Sequence, residues 1–299
     1  VIRVEKEKPA MALINGDNGM GHLVMKRAAE LACEKARTAG VAWVGAHLSN
    51  HAGPASLYAR MCLPHDMIGL YMAVGNANHL PPWGGLTMLL STNPVACAIP
   101  TAKEPPVVLD MATTVAAYGK VKAKAQRGEM MPEGWMIDRT GKPLLDPKRS
   151  DEGFLLPIGG HKGYGLALII GLLAGTLNGA AMGKDVIDFN KDSSSVTNTG
   201  QAILVIDVSA FGEVGAFKQR VDVLARDLLE AAEALLGIAA AVGHPLARLV
   251  GCRQQAVGGN VCRPLRRRGD RDPCGLRGVR PAAQRECPEA RIVRRQLPG

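Results

Sequence analysis

The sequence predicts a mixed α/β fold in which strands and helices do not alternate regularly. Apolar residues recur with helical spacing in some stretches and form short continuous runs in others, which indicates both kinds of element. Several predicted strands follow one another without a long helix between them, whereas a doubly wound parallel sheet requires a helix after each strand. No G-x-G-x-x-G segment follows a strand, so the chain lacks the ordinary dinucleotide fingerprint.

The predicted elements follow in order along the chain. An amphipathic helix is expected over 21–39, with Leu31 and Cys33 on its apolar face and Gly40 at its end. A short buried strand, 40–45, leads into a polar loop. The further expected elements are a helix that begins at 58–61, strands at 67–74, 95–99 and 107–110, a helix over 112–126, a long helix after the loop 157–163, a polar loop at 193–200, a strand at 202–208 and a helix over 221–241.

The composition is that of a globular chain with one atypical end. With 299 residues, 47% of them hydrophobic and 21% charged, the chain can bury a sizeable core. No aromatic residue follows Phe217, and the last fifty or so residues show neither helical nor strand periodicity. We therefore expect a globular domain over 1–217, a helical segment over 218–248, and a tail over 249–299 that is disordered or translated from a shifted reading frame.

The tail carries most of the net charge of +9, with 12 arginines and four acidic residues from 249 to 299. Without aromatic residues to stack on bases, such a segment binds nucleic acids only nonspecifically, so no specific nucleic-acid partner is expected. Four of the seven cysteines lie in the tail without a C-x-x-C pair, and no metal site is predicted. The other three, Cys33, Cys62 and Cys97, are expected to be buried free thiols. Together with the lack of a secretory signal, they predict a reducing, cytoplasmic location.

One uncharged stretch resembles a membrane span. The 21 residues from 163 to 183 carry no charge and include glycines at four-residue spacing, a pattern that lets helices approach closely in bilayers. The stretch also holds Thr176 and Asn178 and follows a glycine-rich loop. We therefore favour a buried core helix and expect no association with a membrane.

Five clusters place polar side chains in glycine-rich loops beside apolar strands. They are S-N-H-A-G (49–53), S-T-N-P (91–94), D-M-A-T-T (110–114), G-W-M-I-D (134–138) with D-P (146–147), and G-G-H-K-G-Y-G-L (159–166). His51 can exchange a proton near neutral pH, and His161 with Lys162 before a helix would suit an anionic cofactor. Each cluster also has a plain structural interpretation: a histidine that holds its loop, side chains that cap turns, or residues that begin a helix.

Taken in this order, the clusters resemble the malate/L-lactate dehydrogenase family of NAD(P)-dependent oxidoreductases, which includes sulfolactate and ureidoglycolate dehydrogenases. The resemblance runs from about 13 to 211 and includes Y-G-K after the third cluster and G-K-P in the fourth. It implies hydride transfer between NAD or NADP and a small 2-hydroxy or 2-oxo acid, of the malate or lactate type. It also implies the family's own non-Rossmann α/β nucleotide-binding fold, here over 1–217, and a homodimer.

The resemblance implies a role for individual residues as well. His51 would be the catalytic acid or base. The substrate-binding residues would be Ser49, Gly75, Thr92 and Asn93. The cofactor-binding residues would be Asp110, Met111, Ala112, Thr113, Thr114, His161 and Lys162.

Two motifs of the family do not occur in this sequence. Family members begin with a further segment that contains S-H-G-x-x-R-x-x-x-Y, and they end with a P-G-E-x-E segment. We therefore expect a dehydrogenase domain that is truncated at its N-terminus. The alternatives are a catalytically inactive remnant that at most binds a nucleotide or dimerises, and a protein that contacts RNA or DNA through its arginine-rich tail.

Overall fold

In the computed structural model, which describes residues 1–192 and 194–241, seven strands form one sheet. In their order across the sheet they are β1 (Arg3–Lys8), β2 (Met11–Gly19), β3 (Val41–Ser49), β9 (Thr199–Asp207), β4 (Met67–Ala73), β5 (Val95–Ile99) and β6 (Val107–Met111). A second, two-stranded sheet pairs β7 (Met136–Asp138) with β8 (Gly153–Leu155). Only β2 and β3 run parallel in the large sheet. This mixed arrangement confirms the predicted fold class and excludes a doubly wound sheet.

The α-helices of the described residues are α1 (Gly21–Ala39), α2 (Ser56–Arg60), α3 (Tyr118–Arg127), α4 (His161–Ala174) and α5 (Val214–Ala241). Two of them, α1 and α2, cover one face of the large sheet. Apolar residues recur every three or four positions along α1, so Val24 and Ala28 are fully buried together with Ile14 of β2 and Ile203 of β9. Gly40 ends α1 with a φ of +77°, a conformation that glycine adopts without strain. The ends of α1 agree with the predicted 21–39.

The opposite face of the sheet carries α4. Ile170 and Ala174 of this helix pack against Met72, Val74 and Ala202. A helix therefore lies where the uncharged stretch predicts one, but it is buried on one face only, because Leu166, Ile169 and Leu172 are exposed. Across the residues that the structure describes, no helix is long and apolar enough to cross a membrane.

Part of the predicted secondary structure is wrong. The helix expected over 112–126 begins only at Tyr118, because the backbones of Thr113 and Thr114 bond instead to neighbouring loops. The strands β1, β2, β7 and β8 are not predicted at all. The six residues of β1 are all exposed and mostly charged, so this edge strand shows none of the alternation that marks a half-buried strand.

Charged side chains hold α5 against the rest of the described chain. The carboxylate of Asp222 is buried and accepts backbone N–H groups of Ala102 and Lys103, at 3.0 and 2.9 Å. Lys218 pairs with Asp66 at 2.7 Å. The helix begins before the predicted 221. The expected tail over 249–299 lies outside the described residues.

Candidate active site

One cleft of about 300 Å³ lies between the loops that follow β3 and β4, the loop that precedes β5, and the start of α3. Three of the twelve residues with a predicted role line it: His51, Gly75 and Thr92. The other lining residues are Ala52, Gly53, Tyr71, Ala73, Val74, Asn76, Ala77, His79, Ser91, Pro94, Ala117, Tyr118, Gly119, Lys122, Phe189, Asn190 and Gln201. The cleft is therefore small, with mostly uncharged walls.

His51 has a defined hydrogen bond in the cleft. Its Nδ1 accepts the backbone N–H of Gly53 at 3.1 Å, so the neutral ring carries its proton on Nε2. Phe189 stacks on the ring, with the two centroids 5.9 Å apart. Burial, and to a smaller extent the nearby His22, lower the pKa of His51 below its ordinary value of 6.5. The imidazole is therefore neutral at pH 7.

Steric constraints explain why the residue two positions after His51 is a glycine. Gly53 has a φ of +71°, and a Cβ at this position would lie 2.5 Å from Nε2 of His22. A side chain at position 53 would therefore strain the backbone and collide with the imidazole of His22. The S-N-H-x-G motif thus places a small residue where α1 meets the His51 loop.

Two predicted substrate-binding residues are buried and bond to protein groups. The hydroxyl of Ser49 donates to Oε1 of Gln201 at 2.8 Å. The amide of Asn93 accepts the N–H of Gly75 at 3.2 Å and donates to the carbonyl of Ala167 at 2.8 Å. Ser49 therefore fixes a side chain that lines the cleft, and Asn93 ties the Gly75 loop to α4.

The D-M-A-T-T cluster lies at the end of β6. The carboxylate of Asp110 accepts the N–H of Ser56 at 3.0 Å, at the start of α2. Thr113 is fully buried, and its hydroxyl donates to the carbonyl of Thr92 at 2.9 Å. Thr114 is buried too, and its hydroxyl donates to the carbonyl of Ala116. None of the residues from 110 to 114 lines the cleft itself.

His161 and Lys162 form the exposed first turn of α4. No side chain caps this helix, and Gly160 precedes it with a φ of +65°. The ring of His161 meets the ring of Trp83 edge-on, at 6.0 Å between centroids. Free N–H groups and a cation at a helix N-terminus favour a bound anion.

The two segments that the resemblance assigns to the cofactor are adjacent. Thr114 bridges to Pro157, and the N–H of Ile158 donates to the carbonyl of Thr113 at 3.0 Å. The loop 157–160 then leads directly into His161. The uncapped N–H groups at the start of α4 suit the pyrophosphate part of a dinucleotide, and the end of β6 lies beside them.

Lys122, which has no role predicted from the sequence, also lines the cleft. Its ammonium donates to Oδ1 of Asn190 at 2.6 Å and lies 5.7 Å from the centroid of the Tyr118 ring. Tyr118 and Lys122 are four residues apart, so they share one face of α3. The predicted helix over 112–126 already contains this pair, but nothing in the sequence places Asn190 beside Lys122.

Other polar groups give no evidence of a metal. In the described part of the chain, no three or more His, Cys, Asp or Glu side chains form a group able to hold a metal ion. Cys33 and Cys62 are buried free thiols, as predicted, and Cys97 is half-buried. Burial raises the pKa of the Cys97 thiol.

Known proteins resemble this chain in sequence and in structure. The family model for malate/L-lactate dehydrogenase matches residues 1–238. An L-sulfolactate dehydrogenase of Methanothermobacter thermautotrophicus is 41% identical, over 79% of this chain and 68% of that protein. A malate dehydrogenase of Pyrococcus horikoshii is 39% identical, over 76% of this chain and 64% of that protein.

A solved structure has the same fold. The sulfolactate dehydrogenase of Methanocaldococcus jannaschii superposes with a TM-score of 0.67 and 36% identity, over 75% of this chain and 64% of that chain. The chain thus spans about two thirds of the length of these relatives. The matches confirm the resemblance that the five clusters predict.

Proposed function

Because the chain belongs to the malate/L-lactate dehydrogenase family, we propose that it transfers a hydride between NAD or NADP and a small 2-hydroxy or 2-oxo acid of the malate or lactate type. The observation that carries this proposal is the position of His51, a neutral imidazole in a cleft of about 300 Å³ that Gly75 and Thr92 also line. A cleft of this volume suits a small acid beside the reacting end of a cofactor.

His51 supplies the proton chemistry in this proposal. Because Gly53 occupies Nδ1, the ring exchanges a proton with a ligand oxygen through Nε2. To accept the proton of a hydroxyl group at Nε2, the neutral ring first moves its own proton from Nε2 to Nδ1, which breaks the bond from Gly53. After the transfer both ring nitrogens carry a proton. The lowered pKa favours the neutral ring, which is the form that acts as a base when the alcohol is oxidised.

The described residues also offer groups for the dinucleotide. Bound NAD or NADP would supply the hydride acceptor or donor. Asp110 and Met111 end β6, and Ala112 follows them. His161 and Lys162 begin the uncapped helix α4. In the proposal, Lys162 and the first N–H groups of α4 bind the pyrophosphate, while Thr113 and Thr114 hold the two segments together.

The proposal includes a homodimer in the cytoplasm. Four apolar side chains of α4 and one that follows it are exposed, although soluble monomers seldom expose such a contiguous patch. These side chains are Leu166, Ile169, Leu172, Leu173 and Leu177. A second copy of the chain would cover them. The free thiols of Cys33, Cys62 and Cys97 support a reducing compartment.

Substitution of His51 tests the proposed function. With NADH or NADPH and either oxaloacetate or pyruvate, His51→Ala should lower turnover by about 10²–10⁴-fold, the usual contribution of a general acid or base. Cofactor affinity, measured by the fluorescence of the reduced nicotinamide, should stay unchanged. The control is His65→Ala, since this exposed histidine contacts Arg37 and does not line the cleft.

Two results would count against the proposal. If thermal stability, cofactor affinity and activity all fall together in His51→Ala, the histidine only holds its loop. If the unaltered chain binds the cofactor but turns over none of these acids in either direction, the chain is a catalytically inactive remnant that binds a nucleotide.

A further inference from the structure

The charge of the cleft comes from a single side chain. Among the cleft-lining residues that the structure describes, Lys122 alone carries a fixed charge, and no carboxylate lines the cleft. All other polar groups there are amides, hydroxyls or imidazoles. A positive charge in a cleft that no carboxylate lines attracts an anionic ligand.

The contacts of Lys122 orient its ammonium without neutralising it. Asn190 accepts one of its three N–H donors at 2.6 Å, and the face of the Tyr118 ring lies under it at 5.7 Å. Tyr118 is itself stacked on His79, with centroids 4.0 Å apart. No ion pair of Lys122 with a carboxylate occurs among the described side chains. Two of its donors therefore remain for a ligand.

Consecutive residues place Lys122 and His51 in the same cleft. Phe189 stacks on the imidazole of His51, and the next residue, Asn190, bonds to Lys122. One short segment of the chain thus supports both the group that exchanges protons and the cation. A ligand held by both would carry an ionisable oxygen at one point and a negative charge at another.

A neighbouring cavity differs from the cleft in its charge. Lys122 also lines a cavity of about 220 Å³, but Asp151 and Asp188 line that cavity as well. Their negative charges oppose an anion there. The cleft that holds His51 has no such charge.

We propose that Lys122 binds the carboxylate of the substrate in the His51 cleft and is a specificity-determining residue for 2-hydroxy and 2-oxo acids over their neutral analogues. The inference rests on the proposed function, which names the acid as substrate. It adds the residue that recognises the acid group. Neither the motifs of the sequence nor the family comparison assigns this role to Lys122.

The first test measures binding without turnover. Oxalate, which carries carboxylates but no transferable hydride, is titrated calorimetrically into the full chain. Lys122→Met should weaken its affinity by about 10-fold or more, the usual effect of losing a charge-assisted hydrogen bond, whereas Lys122→Arg should retain most of it. The control is Lys124→Met, because Lys124 pairs with Glu129 and does not line the cleft. Equal oxalate affinity in Lys122→Met, or no binding of oxalate to the unaltered chain, would overturn the inference.

A second test compares pyruvate with pyruvamide as substrates. The unaltered enzyme should prefer the acid, and Lys122→Met should lose that preference mainly through a higher KM for pyruvate, with a smaller change in kcat. An unchanged preference would also overturn the inference, with the proposed function intact. If oxalate binding depends on Lys122 but the unaltered chain reduces neither substrate, the proposed function fails and the anion site stands.

Discussion

The imidazole of His79 lies flat against the ring of Tyr118, with centroids 4.0 Å apart and the ring planes inclined by 18°. The backbone of His79 also joins two neighbouring segments, because its N–H donates to Leu90 at 2.9 Å and its carbonyl accepts from Leu155 at 3.0 Å. Burial of the ring lowers the pKa of His79 to about 4. The wall between the His51 cleft and the smaller cavity is therefore built on a neutral histidine.

We predict that this histidine makes folding stability depend on pH. The pKa is about 4 in the folded chain and near its ordinary value of about 6.5 in the unfolded chain, so the unfolded chain binds more protons between these values. The contribution is fully present above pH ~6.5 and is lost as the pH falls toward 4, by roughly 1–3 kcal/mol in the free energy of unfolding. Urea unfolding at a series of pH values measures it.

The matched variant for this prediction is His79→Phe, which keeps an aromatic ring against Tyr118 but cannot bind a proton. Its free energy of unfolding should change less between pH 7 and pH 4.5 than that of the unaltered chain. The same pH dependence in both proteins would show that His79 is not buried as a neutral ring.

His22 provides a second prediction, about the protonation of His51. The charge of His22 contributes to the lowered pKa of His51, after the larger effect of burial. Replacing it by glutamine removes a neighbouring positive charge and so stabilises the imidazolium form of His51. The midpoint of the His51 titration, followed by NMR of the imidazole protons, should therefore move to higher pH in His22→Gln. His65→Gln should leave this midpoint unchanged. An unchanged midpoint in His22→Gln would show that His22 does not lower the pKa of His51.

Sequence periodicity predicts the elements whose burial pattern is regular. The predicted limits of α1 and β5 agree with the structure because α1 has a continuous apolar face and β5 is a continuous apolar run. The strand β1 is not predicted because all its side chains are exposed. Only its pairing with β2 makes it a strand. Its conformation comes from tertiary structure and not from its own side-chain pattern.

The candidate site is predicted only in part from the sequence. The order of the five clusters identifies the family, which the family match confirms. Polar residues of those clusters were expected to contact ligands, yet Ser49, Asn93 and Thr113 are buried and bond to Gln201, Gly75 and Thr92. Glycine-rich loops contain many backbone polar groups that must be satisfied, and short polar side chains do this. Lys122 has no such local signal, because its partner Asn190 is distant in the sequence.

The last prediction concerns Lys162, which lies exposed in the first turn of α4. If its cation meets the pyrophosphate of the dinucleotide, Lys162→Ala should weaken NADH or NADPH binding by about 1.5–3 kcal/mol, the usual loss for a charge-assisted contact. Folding stability should not fall, because a cation at a helix N-terminus opposes the helix dipole and alanine favours the helix. Calorimetric titration with the cofactor and thermal unfolding measure the two effects separately. Lys184→Ala is the control, since Lys184 is also exposed but lies beyond the end of α4. Unchanged cofactor affinity in Lys162→Ala would remove this lysine from the cofactor site, and an equal loss of affinity in the control would show a general effect of charge.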